Sequence, residues 1–135
     1  MKYITLFILV PAVLICSCNY FFPRLTADKI SVKEAYSFLQ KHSGDKDVVL
    51  LDVRTKLEYD SLHIENSVLT DYSQPNFPEE IEKLDRNKTY LIYDKTDRKS
   101  SNTFELMKEL RFKDVHVIIG GIEAWEKENL PLVFK

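Results

Sequence analysis

The residues with the most chemical potential lie at the ends of three apolar runs. Tyr90-Leu91-Ile92-Tyr93 ends on Asp94, and the residues that follow, Lys95-Thr96-Asp97-Arg98-Lys99-Ser100, are all charged or hydroxylated. A carboxylate in that place has two chemical uses. It is either a nucleophile at a strand end or a fixed anion facing the amino terminus of the next helix. Val48-Val49-Leu50-Leu51 ends on Asp52, with Arg54 two residues on, an acid and a base spaced to tie a strand end to neighbouring loops. Val115-His116-Val117-Ile118-Ile119 runs into Gly120-Gly121-Ile122-Glu123-Ala124-Trp125, where two glycines permit a tight strand-to-helix turn. His42, His63 and His116 stand apart from one another and from any cysteine, so no spacing suggests a metal site, and no cofactor is expected.

Placing these residues requires strands that alternate with helices. Ser31-Val32-Lys33-Glu34 and Thr55-Lys56-Leu57-Glu58 both read as capping boxes. The first opens a helix with Val32, Ala35, Tyr36 and Leu39 on one face, ended by His42-Ser43-Gly44-Asp45; the second opens a short helix to Ser61. Ser67-Val68-Leu69 suits a short strand, and 79–84 a helix after the loop 75–78. A further helix is expected over 100–110, where Phe104, Met107 and Leu110 share a face, and a last one over 122–128. The apolar runs at 48–53, 90–93 and 115–119 are nearly unbroken, as in parallel strands covered on both sides. The expected fold is a single α/β domain: a central parallel β-sheet with helices on both faces. Ligands in such folds sit at the carboxyl ends of strands, where Arg54 and 94–99 fall.

Taken together, Asp52-x-Arg54 with Glu58-Tyr59, His63-Ile64, the 90–101 corner and Gly120-Gly121-x-x-x-Trp125 with Leu130-Pro131-Leu132 resemble the rhodanese family, the sulfurtransferase fold. In that family the strand–loop–helix corner carries Cys-x-x-Gly-x-Arg-Ser, and the cysteine holds a persulfide. On this pattern Asp94 takes the place of the cysteine, Asp97 of the glycine and Lys99 of the arginine, while Ser100 matches. The resemblance implies a structural part for Asp52, Arg54, Glu58, His63, Gly120, Gly121 and Trp125. It departs from the family's Gly-His-Ile-x-Gly-Ala at Leu62, Asn66 and Ser67, and from its terminal Gly-x-Pro at Asn129 before Leu130-Pro131.

The substitutions at the corner bear on chemistry. Sulfur transfer needs a polarisable nucleophile that forms and releases an S–S bond, and a carboxylate does not. Asp94 can instead accept the N–H groups that would serve a thiolate, acting as a built-in anion. Asp97 is expected in a left-handed conformation that aspartate tolerates. Lys99 keeps a charge but loses the planar fork of arginine. A rival resemblance, of Asp94-Lys95-Thr96-Asp97 to the phosphorylation motif of the haloacid-dehalogenase superfamily, would need a downstream lysine, an acidic pair on later strands and considerably more chain, and the one later strand runs into Gly120-Gly121 without a carboxylate pair. No catalytic residue is therefore assigned. Residues 94–100 form a degenerate active-site loop.

Composition narrows the partners. The 135 residues are 44% hydrophobic and carry a formal charge of −2 with both signs interspersed, which suits one packed domain and argues against nucleic-acid binding. The amino terminus reads differently. Met1-Lys2 precedes an apolar run over 3–15, short for a membrane-spanning helix but suited to a signal peptide. Ile15-Cys16-Ser17-Cys18 resembles the bacterial lipobox, with Cys18 the lipidated residue. An uncleaved anchor running on through Phe21-Phe22, or plain secretion, are the alternatives. The expected organisation is a signal peptide over 1–17, a lipidated tether over 18–27 and a rhodanese-like domain over 28–135. Since Cys16 and Cys18 are the sole cysteines, such processing leaves no free thiol.

These readings converge on a membrane-anchored, extracytoplasmic lipoprotein, on the periplasmic face or cell surface, whose rhodanese-like domain is catalytically silent. It would act as a binding or structural/regulatory module toward the membrane, an envelope protein or a small anion. The alternative is a divergent relative that still binds a sulfur-containing or oxyanion ligand at the 94–100 loop.

Overall fold

The computed structural model describes residues 28–134. Its elements run β1 (Lys29–Ile30), α1 (Val32–Lys41), β2 (Val48–Asp52), α2 (Lys56–Ser61), β3 (Leu62–His63), β4 (Val68–Leu69), α3 (Phe77–Glu82), β5 (Thr89–Tyr93), α4 (Arg98–Glu109), β6 (Asp114–Ile118), α5 (Gly121–Lys127) and β7 (Val133–Phe134). Five strands form a sheet in the order β1-β6-β5-β2-β4, and every pairing in it is parallel. β3 and β7 make a separate antiparallel pair.

The apolar runs explain why the sheet is covered twice. Side chains of a strand alternate between faces. Thus Leu50, Leu91, Tyr93 and Ile118 join Ala35 and Phe38 of α1 and Ile122 and Trp125 of α5 on one side. Leu51, Tyr90, Ile92 and Val117 join Phe77 and Ile81 of α3 and Phe104 and Met107 of α4 on the other. Register puts Asp52 opposite Tyr93 at the carboxyl ends of the two central strands. The chain leaves both strands on the same rim, and the site is built there.

Local signals act as written. In both capping boxes the two reciprocal hydrogen bonds are present, Ser31 with Glu34 and Thr55 with Glu58. Gly44 ends the turn after α1 with φ +81°. Three helices have boundaries that differ from expectation. α3 begins at Phe77 rather than at 79, because Pro78 lies in the first turn, where its missing N–H costs nothing. α5 begins at Gly121 and ends at Lys127, one residue earlier at each end than expected. α4 begins at Arg98 rather than at Ser100, for a reason found at the site. The two-residue strands β1, β3 and β7 carry no periodic signal of their own; tertiary pairing makes them. No helix of the described residues is long and apolar enough to cross a membrane.

Leu51 is wholly buried, whereas Leu57 is 82% exposed. Leu51→Ala is expected to lower the unfolding free energy by about 2–5 kcal/mol, and Leu57→Ala to change it by less than about 0.5 kcal/mol. Chemical denaturation of both variants checks the packing, and equal effects would contradict it.

Candidate functional site: the 94–100 corner

Residue 94 leaves β5 at the sheet rim and is 2% exposed. Its carboxylate turns toward the start of α4. Oδ2 accepts the Lys99 main-chain N–H at 2.9 Å, and Oδ1 accepts the hydroxyl of the buried Ser100 at 3.0 Å. A helix begins with N–H groups that have no partner inside the helix, and a nearby anion satisfies them. Asp97, the residue immediately before α4, makes no side-chain cap hydrogen bond. Asp94 supplies the cap from five residues upstream, which is why winding starts at Arg98. The expected ring of several main-chain donors is smaller than anticipated: one N–H and one hydroxyl hold the carboxylate.

Asp97 corrects a second expectation. Its φ is −169°, an extended value open to any residue, so no glycine-like conformation is needed there. Lys95, Thr96 and Arg98 are exposed, while Asp97 and Lys99 are half-buried. Lys95 meets Glu123 at 3.4 Å in an exposed pair that contributes little.

The main chain of the same segment holds the last helix. The Asp94 carbonyl accepts the Ile122 N–H at 2.9 Å, and the Lys95 carbonyl accepts the Glu123 N–H at 3.2 Å. Such closeness explains Gly121. A Cβ there would run into the Asp94 carbonyl oxygen and stand 2.7 Å from that of Thr96, and the residue also has φ +55°. Gly120 takes φ +77° at the turn itself. Trp125 then packs beneath the sheet with its indole N–H donated to the Pro131 carbonyl at 3.0 Å.

Behind the loop lies a buried polar network. The Arg54 guanidinium donates to Asp52 through Nε at 3.0 Å and Nη2 at 2.6 Å, and Nη2 also reaches the Leu62 carbonyl at 2.6 Å. Burial disfavours the Arg54 cation, but the Asp52 hydrogen bonds and charge outweigh it and raise its pKa. The guanidinium lies 5.6 Å from the Tyr93 ring centroid. The Tyr93 hydroxyl donates to Ser67 Oγ at 3.0 Å and accepts the Ile64 N–H at 3.2 Å. Burial first, then the Asp52 charge, push its ionisation well above the ordinary phenol value. Sequence reasoning missed Tyr93 and Ser67. The available signal was a tyrosine at the last position of a buried strand, whose hydroxyl needs a partner.

His63 sits in β3, stacks on Tyr59 at 4.1 Å, and donates Nδ1–H to the Tyr59 carbonyl at 2.9 Å. That places it as a brace for the 59–67 segment, away from Asp94's contacts. Glu58 closes the Thr55 capping box and lies within electrostatic reach of Lys99 and Arg54. Burial alone would raise its pKa, but the Thr55 hydrogen bonds and those two cations together hold it below the usual carboxylate range. Among the described residues no cluster of three or more His, Cys, Asp or Glu could hold a metal ion. Cys18 lies outside the described residues.

The sequence matches the family model of the rhodanese-like domain over residues 36–128. This chain belongs to the rhodanese-like domain family. It is 33% identical over 101 residues to the thiosulfate sulfurtransferase GlpE of Coxiella burnetii, covering 75% of this chain and 89% of that one. It is 36% identical over 89 residues to the probable adenylyltransferase/sulfurtransferase MoeZ of Mycobacterium tuberculosis, but the match spans 66% of this chain and only 22% of that protein. Among solved structures, the rhodanese-like domain of an Anabaena protein superposes with a TM-score of 0.70 at 20% identity, covering 82% of this chain and 81% of that one. A rhodanese-related protein of Thermoplasma volcanium gives 0.65 at 27% identity, covering 81% and 100%. The chain is homologous to sulfurtransferases and has their fold.

Two measurements test the corner. Asp94→Ala leaves the Lys99 N–H and Ser100 hydroxyl without their acceptor and is expected to cost about 1–3 kcal/mol of stability. A change below about 0.5 kcal/mol would mean that the carboxylate caps nothing. Glu58→Gln keeps an acceptor for Thr55 and removes the charge. Since the folded-state pKa is lowered, the charge stabilises the fold above the unfolded-state pKa of about 4.3, and that gain is lost as pH falls through the lower folded-state value. The variant is therefore expected to be less stable than the wild type at neutral pH and to converge with it in acid. A gap that stays constant with pH would contradict the assignment.

Proposed function

We propose that this protein is a rhodanese-like domain that performs no sulfur transfer and serves as a binding or structural/regulatory module, held to the outer side of a membrane by a lipid on Cys18. The observation that carries the proposal is Asp94. On the family pattern it stands where the persulfide-bearing cysteine belongs, and its carboxylate is already engaged by the helix start that would stabilise a thiolate. Residues 19–135 contain no cysteine at all, so no second thiol stands in reserve. Relatives named as sulfurtransferases have a chemistry that requires a sulfur nucleophile. A carboxylate in its place makes no persulfide. The same occupancy weighs against an oxyanion ligand at the loop, since the Lys99 N–H and the Ser100 hydroxyl are already given to Asp94.

Thiosulfate:cyanide sulfurtransferase turnover by the purified protein is expected to equal the uncatalysed rate, with no persulfide adduct by intact mass after thiosulfate treatment. The informative variant is Asp94→Cys combined with Asp97→Gly and Lys99→Arg, which restores the family pattern and is expected to gain the adduct. Wild-type turnover that survives purification and is lost in Asp94→Ala would overturn the reading.

The anchor is tested separately. Cells expressing the full chain are expected to yield a detergent-phase protein labelled by a fatty-acid probe. Cys18→Ser is expected to abolish both properties and Cys16→Ser neither. A free Cys18 thiol on an uncleaved chain would refute the lipid assignment.

A further inference from the structure

A cavity of about 510 Å³ lies away from the 94–100 corner; none of those residues lines it. It lies toward the end of the sheet where the strands begin, on the side covered by α1 and α5. Val48 and Leu50 of β2, Ile64 and the edge of Trp125 form its floor. The volume falls within the range of small-ligand sites.

Two turns make the mouth. One is closed by the Asp45 N–H on the His42 carbonyl at 2.9 Å and passes through Gly44 at φ +81°. The other is closed by the Ser67 N–H on the Ile64 carbonyl at 3.1 Å and passes through Asn66 at φ +61°. Each turn contributes an exposed acidic residue to the lining, Asp45 from the first and Glu65 from the second. One Asp45 oxygen is used locally, accepting the Asp47 N–H at 2.9 Å. Glu65 has neither a hydrogen bond nor an ion pair among the described residues. No lysine or arginine lines the cavity. Tyr36 and Gln40 add a half-buried phenol and an amide on the α1 side.

An opening with two acids, amide and hydroxyl acceptors and an aromatic wall, with His42 its one basic side chain, is complementary to an organic cation on an apolar stem. We propose that this cavity receives an arginine side chain of a partner protein. The planar guanidinium offers five donors to the two carboxylates and the amide oxygens, and its methylenes lie over the apolar floor. Tyr36 supplies a ring face for the cation. The site is independent of sulfur chemistry at the opposite rim, and it stands or falls whether or not the corner is silent.

The test uses the acetyl-Gly-Arg-Gly-amide tripeptide and its citrulline counterpart, which has the same shape without the charge. Binding to the full chain is followed by backbone amide shifts and by emission of Trp125, the single tryptophan. The arginine peptide is expected to shift amides at 43–45 and 64–66, to weaken with added salt, and to bind about fivefold or more tighter than the citrulline peptide. Glu65→Gln and Asp45→Asn, both at exposed positions, are each expected to weaken it by about threefold or more, with unchanged thermal stability. Equal binding of the two peptides, shifts centred on 94–99, or variants that bind like the wild type would each overturn the proposal. Binding of free phenethylamine or choline as tight as that of the arginine peptide would also overturn it, in favour of a small-molecule site.

Discussion

One residue engages the starts of two helices with two different groups. The side chain of Asp94 accepts from the start of α4, and its main-chain carbonyl accepts from the start of α5. The loop cannot relax toward either helix without losing its hold on the other. Gly121 is fixed by the same arrangement, since it stands where the loop backbone passes too close for any side chain. The hold on α5 is set by main-chain groups that any residue at 94 can supply, whereas the hold on α4 depends on the Asp94 carboxylate.

A second constraint sits directly behind. Asp52 and Arg54 are both buried, at 0% and 4% exposure, and burial of two charges is costly unless their hydrogen bonds are satisfied. Here they are. The carboxylate takes the Arg54 main-chain N–H as well as the guanidinium, and the remaining guanidinium reach goes to Leu62. No buried side-chain polar atom among the described residues lacks a partner. The pair adds little net stability over an apolar substitute, but it fixes where the 62–67 segment lies against the strand ends. Tyr93 repeats that function through its hydroxyl.

Legibility in the sequence followed the range of the interactions. The central strands were readable because their burial on both faces leaves long apolar runs, and α1 and α2 because Ser31-x-x-Glu34 and Thr55-x-x-Glu58 are three-residue patterns that close locally. The glycine pair and Trp125 marked the last turn for the same reason. The start of α4 was misplaced because its cap comes from Asp94, outside the window in which a capping residue is sought. Asp97 was misjudged because its backbone conformation depends on that distant cap. Tyr93, Ser67 and Ile64 meet only after folding, across separations no local pattern records. The mouth of the cavity was equally hidden, since Asp45 and Glu65 belong to turns on separate segments.

The order of the sheet has a consequence for how the chain reaches its fold. β1 pairs with β6, bringing Lys29 beside Val117, and β3 pairs with β7, bringing Leu62 beside Phe134. Both of the weakest strands are thus completed only by the last part of the polypeptide. A chain emerging amino terminus first holds an unpaired sheet edge until its final fifth or so has been released, and loop-closure entropy opposes these distant pairings until the central strands are in place. Closure of both pairings is expected only after the central strands have formed.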